Sequence, residues 1–501
     1  MLAALKGVGT PEARVSHERE TRESIASQES HHRTHRELLD RLHEARDRSD
    51  ALFELVVPDA LYERPIPERH RIIFYVGHLE AFDWNLLNNP ESGLNLGLKS
   101  VHPDFDRLFA FGIDPVGGGL PTDVPADWPS LGSVRDYVAS IRGALDAKLS
   151  AISLEEPSLE ESSATKTRHG FSLATLLNVA VEHRLMHVET LAYMLHQLPI
   201  SMKVQQPIPL DPVVQRVEHK TVAVPSGVVE LGLSRQAASF GWDNEYELHT
   251  QEVPAFEIDR YKITNRQYLE FLTNGGYRER ALWAEDDWNW KEERGITHPL
   301  FWNKSGGRWL YRTMFAELPF DEVPVVLDWP VYVSHAEAAA YARWAGKSLP
   351  SEAEWQRAAY GATSCVTPGA TTSVTTEKTS QPASRSYPWG NDKPSVRLGN
   401  FDLQRWDPAP VNAFPAGQSF FGVHDLLGNG WEWTSTVFEP FPNFEPFPFY
   451  QGYSADFFDG KHFVMKGGSA RTAACMLRPS FRNWFQAHYQ NVYAGFRCVS
   501  R

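Results

Sequence analysis

The sequence predicts an α+β protein built as a helical N-terminal half followed by a half of short strands, turns and loops. Three observations predict it. The chain has 501 residues, too many for one hydrophobic core, so two domains are expected. Apolar residues recur at helical spacing in long segments before residue 200. Beyond it the texture changes: most of the 16 tryptophans lie after residue 240, among many glycines, which suits a loop-rich domain with a large-aromatic core.

The elements follow in order. Residues 17–47 are highly charged, with Leu38, Leu39, Leu42 and later Leu52 at helical spacing. A second helix is expected from about Glu68 to Leu87, opened by Pro65 and Pro67. A third runs from about Ser133 to Leu149, with Val134, Val138, Ile141 and Leu145 on one face, and a strongly apolar fourth from Leu173 to Leu198. Four such helices suggest an antiparallel bundle, in which metal sites are built from facing side chains. The acidic, Ser-rich stretch 150–166 reads as a mobile surface loop. Four prolines between residues 199 and 212 mark a linker, giving a helical domain over 1–200, a linker over 201–222 and a second domain over 223–501. In that domain, helices are expected at Ser334–Trp344 and Ser351–Tyr360, the latter opened by a capping box of Ser351 and Glu354. The Ser/Thr-rich stretch 362–386 reads as a flexible insertion.

Bulk properties exclude several classes. A net charge of −14 argues against a nucleic-acid partner, which needs clustered Lys and Arg. No apolar run approaches a membrane span, and the start of the chain, with Lys6 after a four-residue apolar patch, does not read as a secretory signal. Three cysteines, Cys365, Cys475 and Cys498, speak for a reducing compartment over a disulfide scaffold, so a cytoplasmic location is expected.

The most informative segment is Val181-Glu182-His183-Arg184-Leu185-Met186-His187-Val188-Glu189. Histidines four apart on a helix project within about 40° of each other, one turn apart. At this spacing they are more often core residues than ligands, but here the surroundings are apolar, and two adjacent buried imidazoles without a shared ligand would be costly. Arg184 stands where the zinc-protease pattern H-E-x-x-H needs its general-base Glu, which disfavours peptide hydrolysis. Glu189 points to another side of the helix and reads as a supporting carboxylate. The best third ligand is His78, mid-helix in an apolar segment, where Gly77 lets another backbone come close. His31, His32 and His35 form a rival cluster, but their Arg, Glu and Ser neighbours read as a solvated face. Imidazole ligands suit Zn, Cu and Ni as well as iron, so the residues alone do not select the metal. Cys475 and Cys498 read as buried thiols, and Trp431 and Trp433 as core residues.

The second half carries a series of signatures: Asp259-Arg260-Tyr261-Lys262-Ile263-Thr264-Asn265, Leu349-Pro350-Ser351-Glu352-Ala353-Glu354-Trp355, Gly428-Asn429-Gly430-Trp431-Glu432-Trp433, Gly467-Gly468-Ser469, Arg482-Asn483 and Gly495-Phe496-Arg497. In this order they resemble the formylglycine-generating-enzyme-like domain, a C-type-lectin-related fold. The Gly77-His78 pair and the His-x3-His-x-Glu segment resemble the metal ligands of DinB-like bundles. Together the halves look like the iron-dependent sulfoxide synthases of ergothioneine and ovothiol biosynthesis. That resemblance implies Fe(II) on His78, His183 and His187, with dioxygen driving formation of a carbon–chalcogen bond on the imidazole ring of hercynine.

The departures bear on the second substrate. The ergothioneine branch carries carboxylate-gripping arginines in the loop after the second helix, whereas this chain has no Arg from 108 to 134. That branch has an Asp where this chain has Phe485, after Arg482, Asn483 and Trp484, and a tyrosine where this chain offers Phe438. An aromatic-rich pocket suits a trimethylammonium group. The resemblance implies that Asn483 orients the hercynine carboxylate and that Trp484 and Phe485 line the pocket. The losses look like the selenoneine-forming branch, whose donor is an uncharged selenosugar. Three rivals stand beside this: a sulfoxide synthase using cysteine or gamma-glutamylcysteine, a non-enzymatic metal-stabilised binding module, and formylglycine generation on a protein.

Overall fold

The computed structural model describes residues 35–89, 94–110, 120–155, 170–207, 216–237, 239–362 and 385–501. The described chain divides into two compact units, 1–51 with 61–184 and 52–60 with 185–501, and the last helix of the first half runs through the division.

The first unit is helical. Helix α1 covers 35–53 and buries Leu38, Leu42, Ala45 and Leu52. Helix α2, Ile72–Asn88, starts later than its prolines suggested: Arg71 is its N-cap, and the Ile72 amide reaches back to the Glu63 carbonyl at 3.2 Å, so residues 63–71 form a turn. The short α3, Pro103–Leu108, was not anticipated. Helix α4, Leu131–Glu155, continues through the first residues of the stretch read as a loop, whose remainder lies outside the described residues. It packs on α2 and buries Val134, Tyr137, Ile141, Leu145 and Leu149 at the expected spacing. Helix α5 is Leu173–Gln197. Of the rival histidine cluster, His31 and His32 lie outside the described residues. His35 is not solvated: it is buried, with Nε2 at 3.3 Å from the Leu149 carbonyl.

The second unit is strand-poor and tied together by short sheets. Strands β1 (Thr221–Val224) and β4 (Phe256–Asp259) pair antiparallel, and the chain end returns to β4 as β12 (Val499–Ser500). Strands β2 (Gly227–Leu231) and β3 (His249–Val253) form a two-stranded ribbon. Strands β5 (Trp302–Ser305), β6 (Arg308–Arg312) and β7 (Glu317–Pro319) form a meander. The largest sheet has the order β10-β9-β8-β11, from β8 (Trp431–Val437), β9 (His462–Lys466), β10 (Asn483–Gln486) and β11 (Ala494–Gly495). Helices α8 (His335–Trp344) and α9 (Glu352–Tyr360) match expectation, whereas α6 (Asn265–Thr273) and α7 (Glu285–Arg294) were not read from the sequence.

The sequence signatures converge on one buried charge cluster. Glu432 accepts from Arg497 at 2.6 and 2.7 Å and from the Trp355 indole at 3.0 Å, with the Lys262 ammonium at 3.3 Å. Burial raises the Glu432 carboxyl, but Arg497 and Lys262 outweigh it and hold it below its ordinary range. Four separated motifs therefore meet in one ion network. The indole of Trp433 donates to the Val333 carbonyl at 2.8 Å, so this tryptophan is core, as read. Cys498 is buried and Cys475 partly so, and both are free thiols. Among the described residues no helix is long and apolar enough to cross a membrane.

Candidate metal centre

Helix α2 lays Phe74, His78 and Phe82 along one stripe, at steps of four residues. Helix α5 presents His183 and, one turn on, His187. His78, His183 and His187 are all buried, and each offers a ring nitrogen within 4.8 Å of the others. Two nitrogens each about 2.1 Å from one ion stand at most about 4.2 Å apart, so a small side-chain adjustment brings the set to a common ion.

The neighbours fix the rings. Phe82 stacks on His183 at 3.4 Å between centroids, and Phe74 stacks on His78 at 4.8 Å. His78 Nδ1 lies 2.7 Å from the Phe109 carbonyl. A carbonyl only accepts, so Nδ1 carries the proton and Nε2 the lone pair that a metal takes. Burial drives the His78 pKa down to about 4, against the pull of the Phe109 carbonyl, so the ring is neutral at physiological pH, the form that ligates. Gly77 admits a close neighbour, but that neighbour is the Phe109 ring, not a backbone: a Cβ at 77 would stand 2.5 Å from it.

Arg184 faces away from this stripe. Its guanidinium donates to Asp83 at 2.7 Å, to the Leu79 carbonyl at 3.0 Å and to Ser49 at 3.3 Å, with Glu80 at 3.0 Å. Burial raises the Glu80 carboxyl, but Arg184, Arg142 and Arg46 outweigh it and hold it below its ordinary range. The sequence reading used Arg184 only as a missing glutamate. The acids at 80 and 83, on a different side of α2 from His78, were the signal it passed over.

Glu189 supports the second unit. It accepts from the Trp431 indole at 2.7 Å, from Ser469 at 2.5 Å and from Thr472 at 2.7 Å, while burial pushes its carboxyl above the usual range. These bonds give the Gly467-Gly468-Ser469 signature a structural task.

The residues expected to hold substrate divide between two faces of β10. Its antiparallel pairing with β9 sets Trp484 opposite Val464 and Phe485 opposite Phe463, so successive side chains alternate. On one face Trp484 stacks on the buried Phe438 at 4.2 Å, nearly parallel. Arg482 joins that side, its guanidinium 4.9 Å from the Phe438 centroid and donating to Glu352 at 3.0 Å. On the other face lie Asn483 and Phe485, the latter stacked on Tyr489 at 4.8 Å. The Asn483 side chain accepts from the Trp484 amide at 2.8 Å. Of the Arg-free loop, residues 111–119 lie outside the described residues.

A buried three-histidine cluster that could hold a metal ion lies in a helical domain, and this Trp- and Gly-rich domain follows it. The DinB superfamily matches residues 41–191, and the sulfatase-modifying factor enzyme 1-like domain matches residues 210–501. The chain belongs to the sulfatase-modifying factor enzyme 1-like family and stands with the hercynine oxygenases within it. It is 33% identical over 402 residues to the hercynine oxygenase of Mycolicibacterium smegmatis, covering 79% of this chain and 83% of the relative. It is 40% identical over 268 residues to that of Mycobacterium tuberculosis, covering 53% of this chain and 57% of the relative. It is 27% identical over 518 residues to ergothioneine biosynthesis protein 1 of Neurospora crassa, covering 89% of this chain and 55% of the relative. The matches to the last two thus span little more than half of each relative's length.

Proposed function

We propose that this chain is an oxygen-dependent non-haem iron(II) enzyme that joins a chalcogen nucleophile to the imidazole ring of hercynine. The observation that carries the reading is the buried His78–His183–His187 cluster in a chain that aligns with most of a hercynine oxygenase. The three imidazoles would hold the iron and leave three of six positions open for substrates. When bound, the metal would supply the redox chemistry with dioxygen. In the overall balance, the imidazole C–H and the chalcogen–H bonds break, and a carbon–chalcogen bond forms. One oxygen atom ends on the chalcogen and the other leaves as water. Dioxygen accepts four electrons from the two substrates.

The chain's own residues supply position and exclusion of water. Asn483 would orient the hercynine carboxylate, and Phe485, on the same face of β10, would present an aromatic face toward a trimethylammonium group, with the Trp484–Phe438 stack backing the strand from its other face. Holding the reactants in one geometry supplies the orientation part of the rate enhancement.

The donor has two readings. The relatives favour an ergothioneine-type thiol, cysteine or gamma-glutamylcysteine. The selenosugar reading rests on the side chains: Phe438 and Phe485 offer neither a carboxylate to pair with an ammonium nor a phenol, and Phe438 is fully buried against Trp484. Protein purified without oxygen is first analysed for iron. It is then supplied with hercynine and each donor, and exposed to oxygen with mass spectrometry of the products. Coupling to a thiol amino acid and none to a selenosugar ends the selenium reading. Oxygen uptake with neither donor ends the synthase reading and leaves a metal-stabilised binding module.

A further inference from the structure

We infer that Phe109 is a positioning residue for the metal centre, acting on His78 through its main-chain carbonyl and held there by its ring. The inference rests on His78 being a metal ligand. Phe109 closes the six-residue helix α3, its amide donating to the Phe105 carbonyl at 2.9 Å. Its ring is fully buried on Gly77, near Trp128 and Tyr137. Tyr137, on α4, ties the same segment down by donating to Asp106 at 2.9 Å. The carbonyl so placed meets His78 Nδ1 at 2.7 Å.

Chemistry makes that contact decisive. A neutral imidazole has one N–H and one lone pair. The Phe109 carbonyl takes the N–H at Nδ1, so the lone pair stands at Nε2. With the opposite tautomer, two lone pairs would face each other across 2.7 Å. A partner that fixes the tautomer and aim of a ligating histidine commonly changes metal affinity by about 10–100-fold when lost.

Gly77 is the other half of the device. A glycine inside a helix is less stable than alanine there, and Gly77 lies within α2. Any Cβ there would meet three atoms of the Phe109 ring at 2.5–2.6 Å. The missing methyl group is what lets the ring, and with it the carbonyl, come down on His78. Gly77 therefore acts on the centre without touching it.

The test uses the full chain with 15N-labelled histidine. In wild-type protein without metal, long-range 15N–1H spectra should show His78 protonated at Nδ1, assigned by the loss of its signals in His78→Ala. Anaerobic titration with Co(II) should show Gly77→Ala binding about tenfold more weakly. Adding Phe109→Ala to Gly77→Ala should leave affinity about threefold or more below wild type, since the clash is gone but so is the ring that holds the carbonyl. Should Gly77→Ala fail to fold, Phe109→Ala alone, which adds no clash, should lower the Nδ1-protonated fraction of His78. Proton occupancy at Nε2 in wild type, or equal Co(II) affinity in wild type and Gly77→Ala, overturns the inference while leaving the metal reading standing. Wild-type protein that takes up no Co(II) overturns the metal reading, and this inference with it.

Discussion

Arg184, on α5, ties that helix to α2 beside the histidines. In the fold its guanidinium is fully buried between Glu80 and Asp83 and bonds the carbonyl of Leu79, next to His78. Arg184→Met leaves two buried carboxylates short of a cation, and removing one partner of such a group costs about 3–5 kcal/mol. Urea denaturation should show that loss, and a cost below about 1 kcal/mol would mean that Arg46 and Arg142 carry the acids alone. Asp243 gives a pH dependence of known sign. Burial raises its carboxyl from 3.8 to about 6, against a hydrogen bond from Ser454. The folded chain then keeps a proton that the unfolded chain has released. The resulting stability is fully present below about pH 3.8 and is lost as the pH rises to about 6. Asp243→Asn should remove that fall, so its melting temperature should rise relative to the wild type's between pH 4 and 6. Parallel profiles for the two proteins would sink the assignment.

At the level of elements, legibility followed local chemistry. The Ser351–Glu354 box could be read because both of its bonds lie within four residues: the Ser351 hydroxyl accepts from the Glu354 amide at 3.1 Å, and Glu354 accepts from the Ser351 amide at 2.7 Å. The same device opens α8 with Ser334 and Glu337, and α6 with Thr264 and Gln267. Helix α6 was missed because it is nine residues long and buries only Asn265, Tyr268 and Phe271, too brief a stripe for periodicity to stand out. Helix α7 buries a single residue, Lys291, so it carries no apolar stripe at all. Ser351→Ala should cost about 1 kcal/mol of stability and Ser351→Gly less, by chemical denaturation. Equal costs for the two would show that the hydroxyl is not capping the helix. Along β10, Trp484 and Phe485 were expected to line one pocket, whereas strand alternation sets Trp484 with Phe438 and turns Phe485 toward Tyr489.

At the scale of the molecule, composition suggests a division near residue 200, where prolines accumulate, yet compactness divides the chain inside α5, after Arg184. The reason lies in the partners of the helix's second half. Glu189 is bonded by Trp431, Ser469 and Thr472, and His196 lies 3.0 Å from the Tyr493 hydroxyl and 2.9 Å from the Arg312 carbonyl. These contacts join residues 116–297 positions apart, beyond the reach of any local pattern. A fragment of residues 1–200 keeps all three histidines but strips those partners, leaving a carboxylate and several apolar side chains of α5 newly exposed. Segments with few buried contacts open at low free-energy cost. In hydrogen exchange the amides of 186–197 should therefore exchange much faster in the fragment than in the full chain, while those of 175–184 stay slower than them. His187 sits at the start of the weakened stretch, so the fragment should bind Co(II) at least about tenfold more weakly, through loss of a held ligand. Full-chain protection and affinity in the fragment would show that the bundle alone secures the third histidine, and that the distant bonds to Glu189 have no part in building the centre.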